Sequence, residues 1–154
     1  MATVFDTASY IKRALHPHRP GKVALHKLLY ACHRYAILRR GDPIFDAFCA
    51  ALPLGPVFIP LLHNPEQEGN PNSLSSDEQA IVDTVLGSLG AMSGRALAAR
   101  SHRNYYEWRI MREGMHENQV KSCGQYREIR VSLIRMLPEI QRRGSNIGNT
   151  IGLQ

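Results

Sequence analysis

Val23-Ala24-Leu25-His26-Lys27-Leu28-Leu29-Tyr30-Ala31-Cys32-His33-Arg34-Tyr35-Ala36-Ile37-Leu38-Arg39 keeps a helical period from end to end. Leu25, Leu28, Leu29, Cys32, Tyr35 and Ala36 recur at three- and four-residue steps, which predicts one apolar face. His26, Tyr30, His33 and Ile37 form a second, amphipathic stripe beside it. Arg39 and Arg40 suit the negative end of the helix dipole, and Gly41 can end the helix.

Upstream, Ala8, Ile11, Ala14 and Leu15 predict a shorter helix over 7–15, broken by His16-Pro17-His18-Arg19-Pro20-Gly21. Downstream, Asp42-Pro43 opens an extended region over 44–54. Gly55-Pro56 then reads as a turn, and 57–62 as a short helix or strand. Residues 64–72 hold two prolines and a glycine and predict a surface loop. Ser75 and Glu78 have the spacing of a capping box, opening a helix whose buried face is Ile81, Val82, Val85, Leu86 and Leu89, with Gly90 as its stop. Ser93 caps a short helix to about Arg100. A last amphipathic helix is expected from near Gln125, ended or kinked at Pro138. The elements predict a mainly α fold: one compact helical domain over 1–143, with a small extended or hairpin element near residues 44–60. A flexible C-terminal tail over 144–154 follows.

A chain of 154 residues suits a single domain with a core of its own. Cys32, Cys49 and Cys123 are odd in number and widely spaced, so no disulfide framework is expected and a reducing compartment is. The N-terminus does not read as a signal peptide, and no apolar run approaches membrane-helix length. These features predict a cytoplasmic protein.

Charge is segregated along the chain. Residues 1–40 carry eight Lys or Arg and one acid, residues 41–93 carry seven acids and no Lys or Arg, and residues 94–154 carry eleven Lys or Arg and five acids. Such blocks either meet inside the fold or present patches to a partner.

The chemistry-bearing residues do not gather into a reactive pattern. His16 and His18 flank a proline without a third ligand, and adjacent Cys32 and His33 diverge by about 100° on a helix. No nucleophile elbow, paired carboxylates, P-loop or GxGxxG is present. No catalytic, metal or cofactor site is therefore expected. The region over 75–102 reads superficially as helix-turn-helix, with Arg95, Arg100 and Arg103 as candidate phosphate contacts, but its second helix is short and Ala-rich.

Three signatures stand in fixed order: Lys27-Leu28-Leu29-Tyr30, Gly55-Pro56-Val57, and Ser101-His102 followed by Trp108. With Leu74, Ser75 and Glu78 between them, the set resembles the Panacea antitoxin domain, the SocA-like family that includes phage-associated GepA-type proteins. The resemblance spans roughly residues 8–114. The family's usual glutamine before the first motif is His26 here, the aromatic residue before the glycine is Leu54, and the Thr-His is Ser101-His102.

The resemblance implies a non-enzymatic antitoxin of a bacterial or phage toxin–antitoxin system. Such a protein neutralises a cognate protein toxin by direct binding, with delivery to a protease as a variant. The alternative is a DNA-binding accessory regulator of a phage or mobile element. For partner contact the sequence favours His26, Tyr30, His33 and Ile37 with Tyr105, Tyr106 and Trp108, since aromatic residues anchor interfaces. The three motifs themselves are expected to play structural parts: a buried helix, a rigid turn and a helix junction.

Overall fold

The computed structural model of the chain describes residues 1–105 and 107–109. The helix expected from near Gln125, the 144–154 tail, Cys123 and Tyr106 lie outside the described residues.

The long helix forms as its period dictates. It is α2, Lys22–Arg40, preceded by α1, Val4–Leu15. Gly41 ends α2 in the left-handed region at φ 84, where a side chain would be strained. α2 is the axis of the molecule: every residue from Ala24 to Arg34, and Ala36 to Leu38, is buried. Leu28 and Leu29 are fully enclosed, each contributing about 1.5–3 kcal/mol by burial.

The remaining elements wrap this axis. β1, Cys49–Leu52, and β2, Gly55–Phe58, make an antiparallel hairpin. α3, Ile59–His63, follows directly, a 3-10 turn covers Pro71–Ser73, and α4, Ser76–Leu89, and α5, Gly94–Asn104, complete the shell. The fold is mainly α with one small hairpin, in the place expected for it. The domain boundary at 143 is not reached by the described residues.

α1 starts earlier than its apolar period suggests because Thr3 and Asp6 form a capping box, each side chain bonded to the other's backbone N–H. Ser75 and Glu78 do the same at α4. α5 is capped by Ser93 and runs to Asn104, one turn beyond the expected end. Tyr10 Oη donates to Asp83 at 2.8 Å, pinning α1 to α4.

The charge blocks meet in part. Arg40, at the end of α2, donates to Asp77 and Glu78 at the start of α4, both at 3.0 Å. The acidic middle of the chain thus neutralises the end of the basic first block. Both carboxylates also suit the positive pole of α4.

The hairpin corrects one expectation. Leu52 pairs with Gly55, so the loop residues are Pro53 and Leu54, and Gly55-Pro56 opens β2 instead of forming the turn. Ile59 N–H bonds to Phe48 O, which turns residues 57 and 59 toward β1 and, by alternation, 56 and 58 away from it. Pro56 therefore lies where its missing N–H removes no ladder bond.

Candidate functional site

The three sequence motifs converge on one junction between α2, β2 and α5. The outer edge of β2 offers two backbone groups that need partners, Pro56 C=O and Phe58 N–H. Lys27 Nζ donates to Pro56 O at 2.9 Å, and His26 Nδ1 accepts from Phe58 N at 3.1 Å. Successive side chains of α2 thus close the strand edge with a donor and an acceptor. A glutamine at position 26 would carry a side-chain carbonyl able to accept the same bond.

Gly55 lets these elements approach. Its φ of 117 lies where L side chains rarely go. A Cβ there would stand 2.8 Å from Lys27 Cε and 3.2 Å from Ser101 Cβ. One missing side chain therefore marks the point where the first, second and third motifs touch. Ser101 turns its hydroxyl inward to its own helix, donating to Leu97 O at 3.0 Å.

A second set of bonds ties the segment after α5 to the same core. Glu107 Oε1 accepts from Arg34 Nε at 2.7 Å and from Tyr30 Oη at 3.0 Å, and both side chains of the ion pair are wholly buried. The Arg34 guanidinium also lies 5.0 Å from the centre of the Tyr105 ring. Trp108 stacks on His102 with centroids 4.3 Å apart and planes 7° from parallel, and its Nε1 donates to Leu52 O at 2.9 Å. Ser101-His102 and Trp108 thus clamp the hairpin onto the helices.

The stripe expected to face a partner turns inward instead. His26, Tyr30, His33, Ile37, Tyr105 and Trp108 are all buried. His33 packs against Tyr30, Phe45 and Phe58, and Tyr30 against Phe58 and Tyr105. The physical reason is that the hairpin and the segment after α5 cover this side of α2, which its helical period alone does not disclose. Arg100, read as a phosphate contact, is also buried.

Burial sets the ionisation of the junction. Desolvation, with the Lys27 charge beside it, lowers His26 to about 4, so it is neutral and its Nδ1 is free to accept. Desolvation lowers Lys27 to about 8, opposed by the nearby Cys49. The Cys32 and Cys49 thiols are pushed well up by burial, which suits packing and not nucleophilic attack. Among the described residues no three His, Cys, Asp or Glu side chains form a metal-holding group. No helix among them is long and apolar enough to cross a membrane. What the junction does chemically is hold the hairpin and the residues just after α5, Glu107 and Trp108, against α2 and α5.

Arg34 and Glu107 carry no motif in the sequence. Arg34 falls four residues after Tyr30, on the buried side of α2, and a charge at such a position is the available signal for an internal pair. Leu54, which stands before the glycine of the second motif, is carried outward by the hairpin loop and exposed.

A family model, the SocA-like antitoxin with its Panacea domain, matches residues 25–109, more than half of the chain. No curated protein and no solved structure matches the chain. The matched span begins in α2 and ends just after Trp108, so it holds every residue of the junction. The junction of α2, β2 and α5 lies within the matched span, and the chain belongs to the SocA-like antitoxin family.

Proposed function

We propose that the chain is an antitoxin that neutralises a cognate protein toxin by direct, non-enzymatic binding, covering the toxin's active or membrane-active surface. Delivery of the bound toxin to a protease is a variant of the same role. The observation that carries this reading is the family match over 25–109. The junction supports it, since Lys27, Arg34 and His26 bond inside the fold, which suits a scaffold that presents a surface elsewhere. Co-expression with the product of the adjacent reading frame tests it. Growth restored by this chain, with a complex recovered on purification, is the expected result. Persistent toxicity with both proteins folded and abundant contradicts the pairing.

A second reading, DNA binding as an accessory regulator, draws on a different surface from the one the sequence suggested. Lys12, Arg13, His16, His18 and Arg19 line a concavity of about 520 Å³ at the end of α1, with Glu68 as the one acid among the described lining residues. Binding there would weaken steeply as salt rises, because phosphate contacts release counterions. Absence of a shift on promoter DNA at low salt removes this reading.

A further inference from the structure

Beside the closed junction lies an open groove, formed by the N-terminal end of α2, the hairpin tip and α3. Its volume is about 460 Å³, and its walls include Val23, Leu54, Leu61 and Leu62. Five large hydrophobic residues are exposed among those described, and three of them border this groove: Leu54 at 57%, Leu62 at 46% and Val23 at 36%. Scattered exposed apolar residues are ordinary, but their gathering around one concavity marks an interaction site.

The charge in the lining has one sign. Among the described residues of the lining, Lys22 and Lys27 are the charged ones, and neutral His26 also borders it. α2 begins there at Gly21 without a side-chain cap and without an acid in its first turn, so the positive pole of the helix is unneutralised. The outer edge of β2 is closed by His26 and Lys27, so an occupant docks through side chains and not as a strand added to β2.

We infer that this groove is the toxin-binding surface, and that it takes an apolar segment of the toxin flanked by an acidic residue. Large aliphatic or aromatic side chains fill the space between Val23, Leu54 and Leu62. The carboxylate sits toward Lys22 and the start of α2. The inference rests on the antitoxin reading and adds the place and chemistry of contact.

The test uses the full chain with the adjacent-frame product, in Leu54→Asp, Leu62→Asp and Phe48→Asp variants. Phe48 is exposed but lies off the groove, so its variant controls for an added surface charge. Leu54→Asp and Leu62→Asp are expected to weaken the complex by at least about tenfold at unchanged melting temperature, while Phe48→Asp binds as the parent does. Equal binding by all three variants overturns the groove and leaves the antitoxin reading standing. Where the parent chain fails to bind that product, the antitoxin pairing falls and calorimetry with two peptides decides the groove. Acetyl-Glu-Leu-Leu-Phe-Leu-amide is expected to bind the parent chain, to lose binding in Leu54→Asp, and to outcompete the peptide with Lys in place of Glu. No binding of either peptide, or preference for the Lys peptide, overturns the proposal.

Discussion

Around Lys27 the protein is closed, and around Val23, four residues earlier on the same helix, it is open. At the closed place the lysine is 2% exposed, a backbone carbonyl meets the ammonium, and a glycine is needed for the parts to fit. At the open place three large apolar side chains, Val23, Leu54 and Leu62, stay exposed among the described residues. The difference separates two jobs that lie side by side in the sequence. Lys27, Gly55 and Ser101 supply internal closure, and the groove is lined largely by other residues, among them Val23, Leu54, Leu61 and Leu62.

The sharpest way to break this division is to open the closed side. Glu107→Ala strips Arg34 of its buried carboxylate and is expected to cost about 3–5 kcal/mol in urea unfolding, because a buried charge then loses its counter-charge. Arg34→Met with Glu107→Leu removes both charges and is expected to recover most of that loss. A double variant as unstable as the single one would mean that other bonds of the network dominate.

Gly55→Ala comes next, at about 2–3 kcal/mol, since its Cβ enters an unfavourable backbone region and presses on Lys27 and Ser101. A loss below about 0.5 kcal/mol would show that the three motifs do not meet as tightly as described.

His26 sharpens the comparison through pH. Its folded pKa is lowered to about 4 from an ordinary 6.5, so the unfolded chain takes up a proton that the folded chain refuses. Its contribution is present above 6.5 and is lost as pH falls toward 4, by at most about 3 kcal/mol. His26→Gln keeps an acceptor for Phe58 N–H without titrating. The variant is expected to flatten that part of the stability profile while leaving stability at pH 7.5 nearly unchanged. Asp6 and Glu78, held low by their capping bonds despite burial, lose their share at still lower pH in both proteins. Identical profiles would remove His26 from the edge of β2.

On the open side the effects on stability are the smallest. Leu54→Asp is expected to change it by less than about 0.5 kcal/mol, as a surface substitution does.

The sequence reaches further into the closed region's elements than into its contacts. α2 is legible to within a residue at each end, because its apolar period and Gly41 are local signals. The Ser75–Glu78 box is legible for the same reason. Thr3 and Asp6 have a related spacing, and their box starts α1 three residues before the apolar period does. The inward course of His26, Tyr30, His33 and Ile37 was not legible. Periodicity reports that a helix has a second face, whereas what covers that face comes from Phe45, Phe58 and Tyr105, far along the chain. Arg34 and Glu107, 73 residues apart, meet only through the tertiary fold.

Leu54 and Gly55 are adjacent in sequence and stand on opposite sides of the division, so the pair gives the most direct test. Thermal melting and toxin binding are measured on Leu54→Asp and Gly55→Ala, with binding recorded at a temperature where both are folded. Leu54→Asp is expected to melt with the parent chain and lose the toxin, and Gly55→Ala to melt well below it and keep the toxin. The reverse pattern, with Leu54→Asp still binding and folded Gly55→Ala not, would contradict the separation of scaffold from partner surface.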